Sequence, residues 1–315
     1  MTTSATEEKK YFPFKKRISH VFEFVFVIIL YLFVNLWPWS KLHSLANGIR
    51  ILFYPLLKSP RRRVASHVRE ILGITDEKEL ERFVATNLTH SIRCWLEVVQ
   101  MWKLRNKKFC SKYIEFTPGA IELTKEKNQG IVFAAGHFGN WEIPIIAYSN
   151  IGFVSNFSAQ HLSNPYVDKM LHTIRKGYRG GEIIYLKESH KFIPVLRSKQ
   201  PLGLVSDQDA GHDGIFIPFM GKMAATHTGP AILAYLGKAR LGVGFCVFQG
   251  NGHYRFDARI VYTFKSRQDF KNTEEAAREL TVRWVKELET EVMKCPEQYF
   301  WVHRRWKTQP DSTHV

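Results

Sequence analysis

Within the stretch IVFAAGHFGNWEIP, His137 and Glu142 stand five residues apart, directly after an apolar, strand-like run. A neutral imidazole is a suitable general base near pH 7. A carboxylate accepting a hydrogen bond from one ring nitrogen fixes the tautomer, so that the other nitrogen can take a proton. The pair therefore offers proton abstraction from a hydroxyl. Covalent hydrolase chemistry is not signalled, because no Ser or Cys stands in a G-x-S-x-G elbow. The spacing differs from the helical H-E-x-x-H of zinc proteases, so neither a metal nor another cofactor is expected. Taken alone, the same two residues also describe a structural loop histidine with a glutamate nearby.

A base must be held by a scaffold. From Gly130 onward, short runs (IVFAAG, GFVSNFSA, EIIYL, LGLVS, LGVGFCVF and the alternating HYRFDARIVY) are separated by helical stretches such as NPYVDKMLHTIRKGY and HTGPAILAYLG. This order predicts an α/β fold whose sheet is at least partly parallel. In such sheets ligand-binding residues gather beyond the carboxyl ends of the strands, where His137 falls. Gly136 and Gly139 permit close approach, and Glu142 is expected in the first turn of whatever follows. The stretch NTEEAARELTVRWVKELETEVMKC opens on an Asn-x-x-Glu cap at Asn272 and lines up Leu280, Trp284, Val285, Leu288 and Val292, a helix that closes the core.

Net charge is +16 over 315 residues, and residues 1–110 hold 19 Lys and Arg against 9 Asp and Glu, so +10 lies in the first third. Such a directed basic surface suits anionic lipid or nucleic acid. No helix-turn-helix, zinc-finger or RNA-recognition signature accompanies it, which disfavours nucleic acid. Residues 21–37, VFEFVFVIILYLFVNLW, are interrupted only by Glu23 and Asn35. As a helix they run about 25 Å, short of a hydrocarbon core of roughly 30 Å. No A-x-A site follows, so a retained anchor is expected. Lys15, Lys16 and Arg17 precede it while Lys41 and the run from Arg61 to Arg63 follow; this symmetry suits a helix lying in or dipping into one leaflet. A buried core helix is the alternative. A helical pattern over TDEKELERFVATNLTHSIRCWLEVVQMWKL, with Thr75 and Asp76 as capping candidates, comes next. The expected organisation is a basic segment and anchor helix (1–40), a helical membrane-proximal region (41–110) and an α/β core (111–315). Four scattered cysteines form no C-x-x-C pair and fit a reducing compartment.

Four blocks in order, GHFGNWE, NPYVDKMLHTIR, SDQDAGHDGIFIPFMGKMAATHTGPA and PEQYFWVHRRWKTQP, resemble the late-acting lipid A acyltransferases of the bacterial lysophospholipid acyltransferase superfamily. The resemblance covers residues 130–310 and, in general character, the anchor. It implies a glycerol-3-phosphate-acyltransferase-like mixed sheet flanked by helices, with an N-terminal membrane-anchoring helix, at the cytoplasmic face of a bacterial inner membrane. It further implies that His137 deprotonates a hydroxyl of a lipid A precursor, which attacks the thioester of an acyl-acyl carrier protein, with Glu142 orienting the imidazole. Asn164, Asp168 and Arg175 match a block near the acceptor, Asp207 matches the first Asp of a D-x-D stretch, and Arg304 and Arg305 would hold phosphates of the acceptor or of the donor's phosphopantetheine. Glu142 departs from the many relatives that carry Asp there. Two alternatives stay open: acyl-CoA-dependent acylation of a phospholipid or glycosylated phosphoinositide, and a non-catalytic lipid-binding scaffold.

Overall fold

The computed structural model describes residues 14–154, 156–176 and 181–310, so the basic segment before residue 14 lies outside the described residues. The strands are β1 (Ile114–Phe116), β2 (Ile131–Ala135), β3 (Asn156–Ala159), β4 (Ile183–Tyr185), β5 (Pro201–Val205), β6 (Ile215–Phe219), β7 (Lys222–Thr226), β8 (Arg240–Gly250) and β9 (His253–Tyr262). The helices are α1 (Phe14–Asn35), α2 (Leu42–Phe53), α3 (Lys58–Leu72), α4 (Glu77–Gln100), α5 (Lys107–Tyr113), α6 (Pro118–Glu122), α7 (Pro144–Ala147), α8 (Pro165–Arg175), α9 (Phe192–Arg197), α10 (Gly229–Leu236) and α11 (Thr273–Lys294). Seven strands form one mixed sheet in the order β1-β9-β8-β2-β5-β3-β4, and β6 and β7 make a separate hairpin. Strands β8, β2, β5, β3 and β4 run parallel, whereas β9 is antiparallel to β8 and β1 follows β9. The expected α/β class with a mixed, helix-flanked sheet is the observed one.

Alternation along the strands sends side chains to opposite faces, and each face is covered. Val132 and Ala134 of β2 join a core with Leu280, Trp284 and Leu288 of α11, whereas Ile131 packs on the other side with Ala46 of α2 and Ile146 of α7. Helix α11 starts at the Asn272 cap, whose side chain accepts from Glu275 N–H at 2.8 Å. Helix α4 starts at Asp76, which accepts from Glu79 N–H at 2.8 Å.

Helix α1 is longer than the apolar run because it begins at Phe14, among the lysines. Its 22 residues span about 33 Å, enough to cross a bilayer by length. Phe22, Phe26, Ile29 and Leu32 are exposed on it, as is Leu36 just past its end. It is nevertheless tied to the body at both ends. Asn164 Nδ2 donates to His20 O and to Glu23 Oε2, each at 2.9 Å, and Gln100 Nε2 donates to Val34 O at 2.5 Å and Trp37 O at 2.9 Å.

Candidate active site

Strands β2 and β5 are parallel neighbours in which Ala135 pairs with Val205, and Ser206 N–H extends the ladder to Ala135 O at 3.0 Å. Two residues beyond that pair on each strand stand His137 and Asp207. Sheet order therefore brings together residues seventy positions apart, past the carboxyl ends of adjacent strands. Asp207 Oδ1 lies 2.6 Å from His137 Nδ1, and Oδ2 accepts from His137 backbone N–H at 2.9 Å. Gly136 permits this approach, since a Cβ there would sit 2.7 Å from the Leu288 methyl groups and 3.2 Å from Asp207 Oδ2.

Glu142 does not orient the imidazole as expected. Both of its oxygens are taken by Arg175, Oε2 by Nε at 2.7 Å and Oε1 by Nη2, a bidentate ion pair beside the histidine. The physical reason is the path of the loop. Gly139 turns at φ +60°, with its ideal Cβ only 2.1 Å from Cys246 O, and Glu142 ends just before α7 with its carboxylate toward the last turn of α8. Asp207 occupies the orienting position instead. Burial pushes its carboxyl pKa up, but the His137 charge, the two His137 hydrogen bonds and Arg305 outweigh burial and hold it below the ordinary value. Asp207 thus stays ionised at neutral pH. The stability this lowering contributes is present above the ordinary carboxylate pKa and is lost as pH falls through the lowered one.

His137 also rests against the rings of Trp141 (centroids 4.7 Å apart) and Phe300 (5.8 Å), which restrict its rotation. Its Nε2 lies 3.4 Å from the Gln208 amide nitrogen. The imidazole lines a cavity of about 710 Å³ that also takes in Trp141, Glu142, Arg175 and Gln208 and runs on to apolar residues including Phe133, Phe157, Ile232 and Phe256. A lining that joins this charged, hydrogen-bonding cluster to apolar side chains suits a lipid chain carrying a polar reacting end.

The other expected site residues have different partners. Asn164 caps α8, accepting from Tyr166 N–H and Val167 N–H, while its amide holds α1. Asp168 accepts from Leu162 N–H at 2.8 Å and from His161 Nδ1 at 2.7 Å. Neither carboxamide nor carboxylate lines the cavity. Arg305, expected to hold phosphate, is 2% exposed and donates to Ala225 O and, at 2.5 Å, to Thr226 Oγ1. It braces β7 against the Asp207 loop from inside and is not free to meet a headgroup. Arg304 beside it is exposed. Arg305→Ala is therefore expected to cost about 2–4 kcal/mol of stability, read as a lower thermal midpoint, whereas Arg304→Ala should leave the midpoint unchanged.

The terminal block forms a wall of the site. Phe300 N–H donates to His137 O at 2.9 Å and Gly139 N–H donates to Gln298 O at 3.1 Å. His303 Nε2 accepts from Asp209 N–H at 2.9 Å. Sequence reasoning missed Asp207 as the histidine's partner, and also Asn140, Glu97 and Gln298, which support the loop from behind. Asp207, Asn140 and Gln298 stand inside the four quoted blocks, whereas Glu97 carries no signal of its own.

The family model described as "Bacterial lipid A biosynthesis acyltransferase" matches residues 11–308. Similar curated proteins include the lipid A biosynthesis palmitoleoyltransferase of Escherichia coli K12, 22% identical over 288 residues and 90% of each chain. The lauroyltransferase of the same organism is 23% identical over 291 residues, again 90% of each chain. A lipid A biosynthesis acyltransferase of Haemophilus influenzae is 25% identical over 284 residues, 87% of each.

Proposed function

Since a match over nearly its whole length makes the chain a member of the bacterial lipid A biosynthesis acyltransferase family, we propose that this O-acyltransferase moves a fatty acyl chain from acyl-acyl carrier protein to a hydroxyl of a lipid A precursor. The observation that carries this reading is the His137 imidazole, held through Nδ1 by buried Asp207 and lining the largely apolar cavity. With Nδ1–H donated to Asp207, Nε2 is the free base. It takes the proton of the acceptor hydroxyl as that oxygen attacks the thioester carbonyl. The tetrahedral centre collapses, the C–S bond breaks, and the imidazolium returns the proton to the departing thiolate. No covalent enzyme intermediate and no cofactor enter this sequence. The Glu142 pair uses two of the five N–H groups of Arg175; the remaining three suit an anionic group of the acceptor or the developing oxyanion. The apolar interior of the cavity receives the acyl chain.

Membrane association follows from α1 together with a second apolar face. Ile51, Leu52, Phe53 and Leu56 are all exposed where α2 ends, next to Arg50, Lys58, Arg61 and Arg62. Exposed apolar residues rimmed by cations fit the surface of a bilayer with anionic lipids. This reading puts the enzyme at the cytoplasmic face of the inner membrane, the side from which an acyl carrier protein would deliver the chain. Leu52→Glu with Leu56→Glu is expected to weaken binding to vesicles containing anionic phosphatidylglycerol by about tenfold or more, in a co-sedimentation assay; unchanged binding would leave α1 as the whole anchor.

Substrate class is tested by a panel: detergent-purified enzyme offered acyl-acyl carrier proteins and acyl-CoAs against radiolabelled lipid A precursor and lysophospholipids. Transfer from the carrier protein to the precursor is expected. Preferred transfer from CoA to a phospholipid would keep the base chemistry and overturn the pathway.

A further inference from the structure

On the side of the catalytic loop facing away from the cavity, α4 carries a row of buried polar groups: His90, Arg93 and Glu97, exposed 4%, 1% and 0%. The reaction as derived uses none of them. Glu97 Oε2 accepts from Asn140 Nδ2 at 2.7 Å and from the Tyr254 hydroxyl. Asn140 Oδ1 accepts from Glu142 backbone N–H at 3.1 Å, and its own N–H donates to Cys246 O at 2.8 Å. Arg93 Nε lies 3.4 Å from Glu97 Oε1, and Nη2 lies 2.5 Å from His90 Nδ1. A guanidinium has only donors, so Nδ1 must accept and the ring proton must sit on Nε2. There it donates to Gly139 O at 3.0 Å. Burial, then the Arg93 charge, keep His90 well below its ordinary pKa, in keeping with a neutral ring. The row thus grips two consecutive loop residues, Gly139 by its carbonyl and Asn140 by its amide, between the base at 137 and the Arg175 clamp at 142.

Buried ionic groups add little to stability over apolar side chains of similar volume, but a buried hydrogen-bonded network directs geometry. We infer that Glu97 and His90 are positioning residues for the acyl transfer: a bracket on α4 that, through Asn140 and Gly139, sets where His137 and Glu142 stand relative to the cavity. This rests on the acyl-transfer reading above. Glu97 and Asn140 form its most testable joint, because donor and acceptor can be exchanged. In Asn140→Asp two carboxylates oppose each other. In the double variant Glu97→Gln, Asn140→Asp, the glutamine amide donates to the aspartate, whose second oxygen still accepts from Glu142 N–H, and the charge of the pair is preserved.

The experiment measures transfer kinetics, thermal midpoint and amide hydrogen exchange of the peptide spanning 137–143 in wild type, Asn140→Asp and the exchanged pair. Asn140→Asp is expected to lower kcat by about 30-fold, with donor KM changed by less than about threefold, and to speed exchange of that peptide. The exchanged pair is expected to restore kcat to within about fivefold of wild type, with restored protection. Should Asn140→Asp fail to fold, Asn140→Ala, which removes the donor to Glu97 without adding a charge, takes its place. Wild-type kcat and protection in the single variant would overturn the bracket. So would an exchanged pair with normal melting and protection but no recovered turnover. Exchange is read without substrate, so an inactive wild type would sink the acyl-transfer reading and leave the bracket to be judged on protection alone.

Discussion

Asp207→Asn is expected to reduce kcat by about 10²–10⁴ with little change in donor KM, because it reverses the histidine tautomer. In the wild type, Oδ2 accepts from His137 backbone N–H and Oδ1 faces Nδ1. An asparagine must give its one oxygen to the backbone N–H, which turns its NH₂ group toward Nδ1. Nδ1 then accepts, the ring proton moves to Nε2, and the nitrogen facing the cavity can no longer take a proton. The substitution is isosteric, so the apolar packing of the loop should persist. Transfer kinetics and near-UV circular dichroism check both halves. Undiminished transfer by folded Asp207→Asn would mean that another group orients the base.

The second large effect concerns the Glu142 pair. Glu142→Gln and Arg175→Lys are each expected to lower kcat/KM by about 10–100-fold, and the double variant to be no worse than the poorer single one, because each removes the same bidentate contact. The side chains of Glu142 and Arg175 are 6% and 16% exposed, so either survivor stands mostly desolvated without its partner. Combined with Asp207→Asn, by contrast, Glu142→Gln should multiply the loss, since the two carboxylates serve different groups. Were Glu142 the carboxylate that orients His137, its loss and that of Asp207 would fail to multiply, and Arg175→Lys would be mild. A three-way cycle of transfer rates separates the two arrangements.

How far the sequence foretold this site depends on the range of each interaction. His137 was legible because a strand, a glycine and a histidine are contiguous. The α11 cap at Asn272 and the α4 cap at Asp76 were legible for the same reason, each being a signal within four residues. Glu142 was read as the partner of His137 because a spacing along the chain says nothing about direction, and the left-handed Gly139 turns the loop toward α8. Asp207 could be matched to a motif but not given its partner, since only the β2–β5 register places it two residues beyond the same rung as His137. Arg304 and Arg305 look alike in HRRWK; one points outward while the other enters the core, a distinction set by β7, nearly eighty residues earlier. The apolar run spans 17 residues interrupted by Glu23 and Asn35, whereas a helix continues through flanking lysines as long as its backbone bonds are satisfied, and α1 is 22 residues long.

The most direct measurement of the central claim is single-turnover transfer of a labelled acyl chain from acyl-acyl carrier protein to lipid A precursor by wild type and His137→Ala, with precursor binding measured in parallel. Removal of the base is expected to leave binding intact and to reduce transfer by about three orders of magnitude or more. Transfer at the wild-type rate by His137→Ala would contradict the assignment of His137 as the base, and precursor binding without transfer by the wild type itself would contradict catalysis and favour a lipid-binding scaffold.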